Sequence, residues 1–532
     1  MNPLNSRTSQ AHRSLNGMRA LVADQHISVR TWLRELLTTL GIVSVSMAGS
    51  SGDLIRHLRN AASPFDIVLC DHQLDPRSDG LHLLEELRYQ KILPLVTIFM
   101  IVTGERQYPR VVAAAEFAPD DYLIKPFSPS VLEDRLRVAL QRKHHLHIAH
   151  ALIDQGEHEK ALSACDQAMA KSSHFLLDTL RLKAEVLVSL GRIEEASALY
   201  NSIAEKRMVP WARMGYAMTL HKQGRSEEAE QIAGTLNVEH PEFLSVYDFM
   251  ARLKEEKGEL AEAADYLERA SNIASSTDRL RHLADVADAQ GDHIRARGAL
   301  QKVVERTRKS SMLQVSDYLK LLRATQADDA SVEAEQIARD MQHDLRASTD
   351  NQTRMAIEVA GALVAHHARR DEEANRHVDT ALALHAESGT GISSPLTLEL
   401  ANACAATGRQ EDAGMLARQL TQHGEGRGAT FDALLKRIGL PREELAGPES
   451  PTPAATEERG QAIEACVEAA EYVLMSLAES WDGELARQCR ILLATAFNAA
   501  PRDRRVIEWH IRYNKLAAAC GAEHHKAGSQ PV

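Results

Sequence analysis

Residues suited to phosphoryl transfer lie at four separate points in the first quarter of the chain. Two of them are carboxylates, Asp24 and Asp71. The other two are the hydroxyl of Thr103 and the ammonium of Lys125. Carboxylates hold a divalent cation such as Mg²⁺, whereas a hydroxyl and an ammonium can stabilise phosphoryl oxygens. These residue types therefore predict phosphoryl transfer through a divalent cation, provided that the fold brings them together.

The segments that carry these residues alternate short apolar runs with amphipathic stretches of helical spacing over residues 18–142. Five short strands separated by helices predict an α/β fold, with a parallel sheet covered on both faces. Ligands bind beyond the carboxyl ends of the strands in such sheets, so all four groups should meet at one edge. The predicted strands are Arg19–Ala23, Val43–Ala48, Asp66–Cys70, Thr97–Val102 and Tyr122–Ile124.

This region resembles the receiver domain of two-component response regulators. The resemblance implies a flavodoxin-like five-stranded parallel sheet and phosphorylation by a sensor histidine kinase. Four stretches carry it, in the family's order and spacing: LVADQHISVR (21–30), DIVLCDHQLDPRSDG (66–80), IVTG (101–104) and DDYLIKPFSP (120–129).

The resemblance also implies a role for individual residues. Asp71 would be the phosphoacceptor and would attack a histidine-bound phosphoryl group on the kinase. Lys125 would pair with the phosphoryl group, and Thr103 would donate a hydrogen bond to it in the active state. Tyr122 matches the aromatic residue that changes rotamer on activation, and the peptide bond before Pro126 would be cis.

The same resemblance implies a Mg²⁺ site formed by Asp24, Asp71 and the backbone carbonyl of Gln73. Two departures from the family pattern affect it. The second of two consecutive acids is replaced by Gln25, whose amide oxygen can bind Mg²⁺ but adds no charge, so we expect weak binding. The loop from Asp71 to Gly80 is also one residue longer than usual. The alternative is therefore a pseudo-receiver that acts as a scaffold or inhibitor of a kinase or regulator without being phosphorylated.

A helical repeat of 33–35 residues begins at residue 143. Glycine ends a first helix, and an alanine five residues later lets the second helix pack closely. One helix pair cannot bury its apolar face alone, so the pairs are expected to stack into an all-α solenoid. The pattern resembles tetratricopeptide (TPR) repeats, five of them across 143–306. The glycine–alanine pairs are Gly156/Ala161, Gly191/Ala196, Gly224/Ala229, Gly258/Ala263 and Gly291/Ala296.

The rest of the chain divides by composition. We expect residues 307–445 to continue the stack as degenerate helical pairs, and the Pro-rich stretch 446–458 to be a linker. Residues 459–519 are predicted to form a C-terminal helical cap. The polar ends 1–17 and 520–532 are predicted to be flexible tails.

Related repeats bind peptides through the inner face of each first helix. Placing the corresponding inner-face positions on this sequence predicts a partner groove, suited to a short amphipathic peptide or partner helix. The alternative is that its methionines are ordinary packing and its tryptophan a partly exposed anchor. The predicted groove residues are Arg181, Glu185, Trp211, Met214, Met218, His221, Asp248, Arg252, Arg281 and Asp285.

Composition excludes several functions. The net charge is −12, and no basic block could follow a phosphate backbone, which argues against nucleic-acid binding. Apolar runs fall short of the ~18 residues of a membrane span. Six cysteines without metal or disulfide spacing suggest buried thiols in a reducing cytoplasm. No nucleotide loop, zinc-protease or nucleophile-elbow motif occurs, so no enzymatic activity beyond phosphoryl acceptance is predicted. A homodimer is left open.

The junction between the two regions is predicted to be helical. From Ser130 to Gln155 the sequence contains neither Gly nor Pro, and leucines recur at four-residue spacing. One continuous helix should therefore connect receiver and repeats. Four histidines at 144, 145, 147 and 150 are interpreted as a polar helical junction rather than a metal site.

Overall fold

The computed structural model describes residues 15–75, 80–104, 119–171, 175–207, 209–308, 310–326, 331–346, 348, 350–388 and 392–445. Residues up to Pro441 belong to one compact unit. A second unit begins at Arg442, where the structure describes the short 3-10 turn Arg442–Glu444. The predicted linker, cap and C-terminal tail, and residues 1–14 of the N-terminal tail, lie outside the described residues.

The first part of the chain forms the predicted parallel sheet. Its strand order is β2-β1-β3-β4-β5, and every neighbouring pair is parallel. Four of the five strands start or end one residue away from the predicted positions, and only β1 matches at both ends. The strands are β1 Arg19–Ala23, β2 Ser44–Ala48, β3 Ile67–Asp71, β4 Ile98–Thr103 and β5 Asp121–Ile124.

Helices cover both faces of this sheet. On one face, α1 (Ile27–Thr39) and the start of α4 (Pro129–Asp154) bury leucines such as Leu33 and Leu136 against the strands. On the other face, α2 (Ser51–Arg59) and α3 (Gly80–Tyr89) bury a second apolar cluster. The two buried faces explain why the central strands β1, β3 and β4 are nearly continuous apolar runs.

Helix α4 spans Pro129–Asp154 and connects the sheet domain to the helical array without a break. Ser128 caps its first turn, where the side-chain oxygen accepts the N–H of Val131 at 3.4 Å. Leu132 and Leu136 pack on the sheet, whereas Leu146 and Ala149 are buried further along the same helix. The prediction of a continuous helix through the histidine-rich junction is confirmed.

The remaining described helices stack in sequence, and each contacts its neighbour in the chain. They are α5 His158–Lys171, α6 Leu176–Ser189, α7 Ile193–Lys206, α8 Pro210–Lys222, α9 Ser226–Glu239, α10 Leu244–Glu256, α11 Leu260–Ile273, α12 Thr277–Gln290, α13 His293–Thr307, α14 Val315–Gln326, α15 Ser331–Leu345, α16 Asn351–His367, α17 Asp371–Ser388, α18 Ser394–Ala406, α19 Gln410–Gln422 and α20 Ala429–Ile438.

The glycine and alanine of each repeat play the predicted parts. At the glycine turns φ is positive, between 73° and 87°, a conformation that other residues rarely adopt. The paired alanines are fully buried, with 0% exposure, so the second helix of each pair approaches its neighbours closely. These alanines are Ala161, Ala196, Ala229, Ala263 and Ala296.

The later part of the array departs from a simple stack. Helix α14 contacts α16 and α18, and α20 returns to contact α12. Arg323 on α14 is buried between the carboxylates of Asp288 and Glu399, which bridges helices distant in sequence. Arg437 of α20 donates to the side-chain oxygen of Asn402 at 3.0 Å. Removing one partner of a buried ion pair such as that of Arg323 with Asp288 is strongly destabilising.

Candidate functional site

The carboxyl ends of the strands bring the predicted phosphoryl-transfer residues together. The Nζ atom of Lys125 lies 2.8 Å from Oδ2 of Asp24 and 2.8 Å from Oδ1 of Asp71. Asp24 follows β1, Asp71 ends β3 and Lys125 follows β5. Thr103 ends β4 and is buried, and its backbone carbonyl accepts the N–H of Lys125 at 2.6 Å.

Asp24 is held rigidly in the floor of this site. Only 1% of the residue is exposed, and its Oδ1 accepts the N–H of His26 at 2.8 Å. A residue that sequence reasoning missed fixes the loop: Arg30 donates to the backbone carbonyl of Asp24 at 2.6 Å and to that of Gln25 at 3.1 Å. In the sequence, the only sign of this role is that Arg30 lies in the first turn of the helix that follows the Asp24–Gln25 pair.

Asp71 is more accessible than Asp24, with 12% of its side chain exposed. Its Oδ2 accepts the N–H of Gln73 at 3.2 Å, which fixes the rotation of the carboxylate. The turn is tight because a Cβ atom on Gly80 would lie 2.7 Å from the backbone carbonyl oxygen of Asp71. The N–H of Gly80 also donates to the carbonyl of His72 at 2.7 Å. Only glycine therefore fits where α3 begins.

The electrostatics keep Lys125 charged. Burial by itself would lower the pKa of Lys125, but the hydrogen bonds that its ammonium donates to Asp24 and Asp71, together with their negative charges, outweigh burial and raise that pKa. Two carboxylates around one ammonium leave a net charge of −1 at the cluster. Such a site attracts a further cation. If a negatively charged group is added to Asp71, the Lys125 ammonium can pair with that group.

Two further residues of the predicted switch lie beside the cluster. Tyr122 is half-buried, and its ring centroid is 6.3 Å from that of His72 in an edge-on arrangement. The Lys125–Pro126 bond is cis, as expected. A second link missed by sequence reasoning involves Asp75, whose side chain accepts the N–H of Ser51 at 3.0 Å and ties the loop after β3 to the start of α2.

The donor set fits a Mg²⁺ ion that keeps most of its water. Asp24, Asp71 and the carbonyl of Gln73 would hold it, while the side chain of Gln25 is exposed and adds no charge. Among the described residues no three His, Cys, Asp or Glu side chains group as a metal site would require. Mg²⁺ is commonly bound through only one or two carboxylates plus phosphate oxygens, so the arrangement suits a weakly held ion.

The apolar part of the predicted partner groove is divided between surface and core. Met218 is 38% exposed, whereas Met214 is 2% exposed and packs in the core between α8 and α10. Including Met214 in the groove was therefore wrong. Trp211 is half-buried against Tyr200, and the guanidinium of Arg181 lies 5.8 Å from its ring centroid. The pairing of Arg181 with Glu185 is exposed.

Most of the charged groove residues bind other residues of the array. Asp248 pairs with Arg279, Arg281 with Asp317, and Asp285 with Lys320, at distances between 2.6 and 2.8 Å. His221 contacts Ser226 and Glu256, and Arg252 is exposed. These ion pairs connect neighbouring repeats, which the register of the groove did not reveal. The part that remains open is formed by Arg181, Glu185, Trp211, Met218 and Arg252.

The described cysteines are buried thiols, namely Cys70, Cys165 and Cys404. The Sγ atom of Cys70 donates to the backbone carbonyl of Asp71 at 3.3 Å. Burial raises the pKa of Cys165 to about 11 and that of Cys404 to about 12, so neither is a thiolate at neutral pH. Cys466, Cys489 and Cys520 lie outside the described residues. Within the described part of the chain, no helix combines the length and apolarity needed to cross a bilayer.

Comparison with known proteins identifies the two regions. A family model described as the response regulator receiver domain matches residues 20–137, and one described as a tetratricopeptide repeat matches residues 210–235. The probable transcriptional regulator ycf27 of Guillardia theta is 30% identical over 124 residues, which are 23% of this chain and 46% of that protein. Its counterpart in Cyanophora paradoxa is 31% identical over 129 residues, or 24% and 50% of the two chains. The chain thus spans about half the length of these curated relatives.

The solved structures similar to parts of this chain include a receiver domain protein and a tetratricopeptide repeat protein. A receiver domain protein from Clostridium thermocellum is 26% identical and covers 24% of this chain and 97% of its own, with a TM-score of 0.22. A tetratricopeptide repeat protein from Parabacteroides merdae is 13% identical and covers 56% of this chain and 98% of its own, with a TM-score of 0.32. Residues 20–137 are a response regulator receiver domain, and the helical array behind them contains a tetratricopeptide repeat.

Proposed function

We propose that the protein is a cytoplasmic response regulator that a sensor histidine kinase phosphorylates on Asp71, with protein binding by the helical array as its output. The observation that carries the proposal is the Lys125 ammonium held 2.8 Å from both Asp24 and Asp71 at the carboxyl edge of the sheet. This arrangement supports the proposal because a carboxylate that could act as nucleophile, a second carboxylate that could help to hold a cation and an ammonium lie at one edge of the sheet.

The chemistry follows from the positions of these groups. A carboxylate oxygen of Asp71 attacks phosphorus, a P–O bond forms, and the P–N bond to the kinase histidine breaks. The electron pair goes to the imidazole nitrogen, which takes a proton from solvent. Mg²⁺, when bound, neutralises charge on the phosphoryl oxygens. Lys125 pairs with the new phosphoryl oxygens, and Thr103 donates its hydroxyl hydrogen to one of them as the strand ends rearrange.

The phosphorylation step is tested with acetyl phosphate and Mg²⁺, followed by a phosphate-affinity gel. We expect one shifted band for the wild-type protein and for Asp75→Asn, because Asp75 is tied to Ser51 and takes no part in transfer. Asp71→Asn should show no shifted band. A shift that persists in Asp71→Asn would place the phosphoryl group elsewhere and overturn the assignment.

The output surface is the open part of the groove on α6 and α8, with Arg181, Trp211 and Met218. An exposed methionine on the same helix as a half-buried tryptophan, with the exposed Arg181–Glu185 pair next to that tryptophan, suits a short amphipathic peptide or helix. Comparing proteins captured by phosphorylated wild type with those captured by Asp71→Asn tests whether phosphorylation controls the partner. Identical capture by both would contradict this output.

A second candidate is a scaffold that docks on a kinase or regulator without being phosphorylated. Gln25, where the family usually carries a second acid, favours it, because only two carboxylates remain to hold Mg²⁺. The gel distinguishes the two functions. A wild-type protein that stays unshifted over a range of Mg²⁺ concentrations, yet binds a kinase, would favour the scaffold.

A further inference from the structure

The receiver contacts the helical array through α3 as well as through the connecting helix α4. Helix α3 contacts the start of α12 and the turn before α14, which lie 192 and 225 positions further along the chain. The N–H of Thr277, the first residue of α12, donates to Oε1 of Glu85 at 3.2 Å. The N–H and the hydroxyl of Ser311 both donate to Oε1 of Glu86 at 3.0 Å.

These contacts are buried and specific. Glu86 is 5% exposed and His82 1%, although both lie on a helix that would face solvent in an isolated receiver. The Nδ1 atom of His82 lies 3.3 Å from the hydroxyl of Thr277, which is itself fully buried. Gln90, the residue directly after α3, donates to both Glu86 and Ser311. We call His82, Glu85, Glu86 and Gln90, with Thr277 and Ser311, the α3 latch.

The carboxylates of the α3 latch lie where backbone N–H groups of the array need an acceptor. The first N–H groups of a helix have no partner within the helix and carry partial positive charge, so a carboxylate there is stabilising. Glu85 supplies that carboxylate to α12. The same helix carries the predicted groove residues Arg281 and Asp285. Ser276 of the repeat already caps α12 by accepting the N–H of Arg279 at 3.1 Å, and Glu85 of the receiver adds an acceptor for the N–H of Thr277.

The first residue of α3 packs against Asp71, the proposed phosphoacceptor. Gly80, its first residue, has no room for even a Cβ atom next to the backbone carbonyl of Asp71. Behind it, leucines of α3 pack in the same apolar cluster as Cys70, the neighbour of Asp71. A backbone movement at Asp71 is thus passed to α3 as a rigid body, because a close-packed contact cannot absorb it.

We propose that the α3 latch holds the receiver closed on the helical array, and that phosphorylation of Asp71 opens it. This inference rests on the proposed function, since it needs a phosphoryl group on Asp71. The added phosphoryl group draws Lys125 away from the two carboxylates and displaces the Asp71 loop, so α3 moves and Glu85 and Glu86 leave their donors. The array then remains connected to the receiver through α4.

The N–H groups of Thr277 and Ser311 report the latch directly, because the carboxylates of α3 are their acceptors. Hydrogen exchange of the full chain is measured before and after treatment with acetyl phosphate and Mg²⁺, with phosphate on Asp71 verified by mass. Exchange at both amides should accelerate by about tenfold or more on phosphorylation, as expected for losing a charged acceptor. Asp71→Asn should show no change under the same treatment.

Two variants test the contact between α3 and the array in the absence of phosphate. The double variant Glu85→Ala/Glu86→Ala should show fast exchange at Thr277 without phosphate, and Ser311→Ala should loosen the same contact from the repeat side. Glu35→Ala, an exposed glutamate on α1, is the matched control and should leave exchange unchanged.

Three outcomes would overturn the latch. Phosphate on Asp71 with unchanged exchange at both amides would contradict release while leaving the proposed function intact. Slow exchange in the double glutamate variant would show that the carboxylates do not hold the contact. Absence of phosphate from Asp71 would overturn release together with the proposed function, and the double variant would still show whether the contact itself exists.

Discussion

Replacing Lys125 by methionine should destabilise the receiver because it leaves charge buried without a partner. The substitution keeps the length of the side chain but removes the ammonium that lies 2.8 Å from Asp24 and from Asp71. Asp24 is 1% exposed and would retain the N–H of His26 as a donor. The two carboxylates would then repel each other across the site.

The cost can be estimated from the burial of the partners. Breaking a buried ion pair by removing one member costs about 3–5 kcal/mol. Since 22% of the Lys125 side chain is exposed, we expect the lower end, about 3 kcal/mol. Adding Asp24→Asn removes the unpaired buried charge, so the double variant should recover most of the loss.

Hydrogen exchange at the buried amides of β1 and β3 measures this loss in the receiver separately from the repeats. Arg137→Met is the matched control, because the exposed Arg137–Glu133 pair should contribute only about 0–1 kcal/mol. A loss for Lys125→Met no larger than that of the control would refute the reasoning. So would a double variant that is less stable than Lys125→Met alone.

Three further predictions address the cation site, the groove and the junction. Gln25→Asp should bind Mg²⁺ more tightly than wild type in a fluorescence titration, and equal affinities would show that the missing charge does not matter. Combining Trp211→Ala with Met218→Ala should abolish partner capture with a nearly unchanged thermal transition, whereas a collapse of stability would assign both residues to the core. Burial, followed by the positive charge of neighbouring side chains, lowers the pKa of His150 from 6.5 to about 4. Between these values the unfolded chain binds a proton that the folded chain does not, so stability falls as pH is lowered, by up to about 3 kcal/mol. Urea unfolding at pH 7 and pH 4.5 should show a smaller pH effect in His150→Gln, and an unchanged effect would contradict the assignment.

The receiver site could be predicted from sequence because its geometry follows from local patterns. Apolar runs separated by helical segments define parallel strands, and residues after such strands must meet at one edge. Asp24, Asp71 and Lys125 accordingly lie within one hydrogen-bonded cluster. The continuous helix α4 was predictable for a similar reason, since no residue between Ser130 and Gln155 terminates a helix.

Contacts between distant elements could not be predicted in this way. Met214 and Met218 are four residues apart on one helix, yet α10 covers only the first. The α3 latch joins residues about two hundred positions apart, and its carboxylates look like ordinary solvent-exposed residues in the sequence. Helical periodicity fixes which face of a helix is apolar, but the curvature of the array decides which residues meet across it.

The most direct test of the central claim is to trap the acyl phosphate at Asp71. An aspartyl phosphate reacts with hydroxylamine, which displaces phosphate and leaves a hydroxamate on the carboxyl carbon. The protein is incubated with acetyl phosphate and Mg²⁺, treated with hydroxylamine, and digested for peptide mass spectrometry. We predict a hydroxamate at Asp71 that is absent without acetyl phosphate and absent in Asp71→Asn. An unmodified Asp71 in the wild-type protein, or a hydroxamate at another carboxylate, would contradict the account.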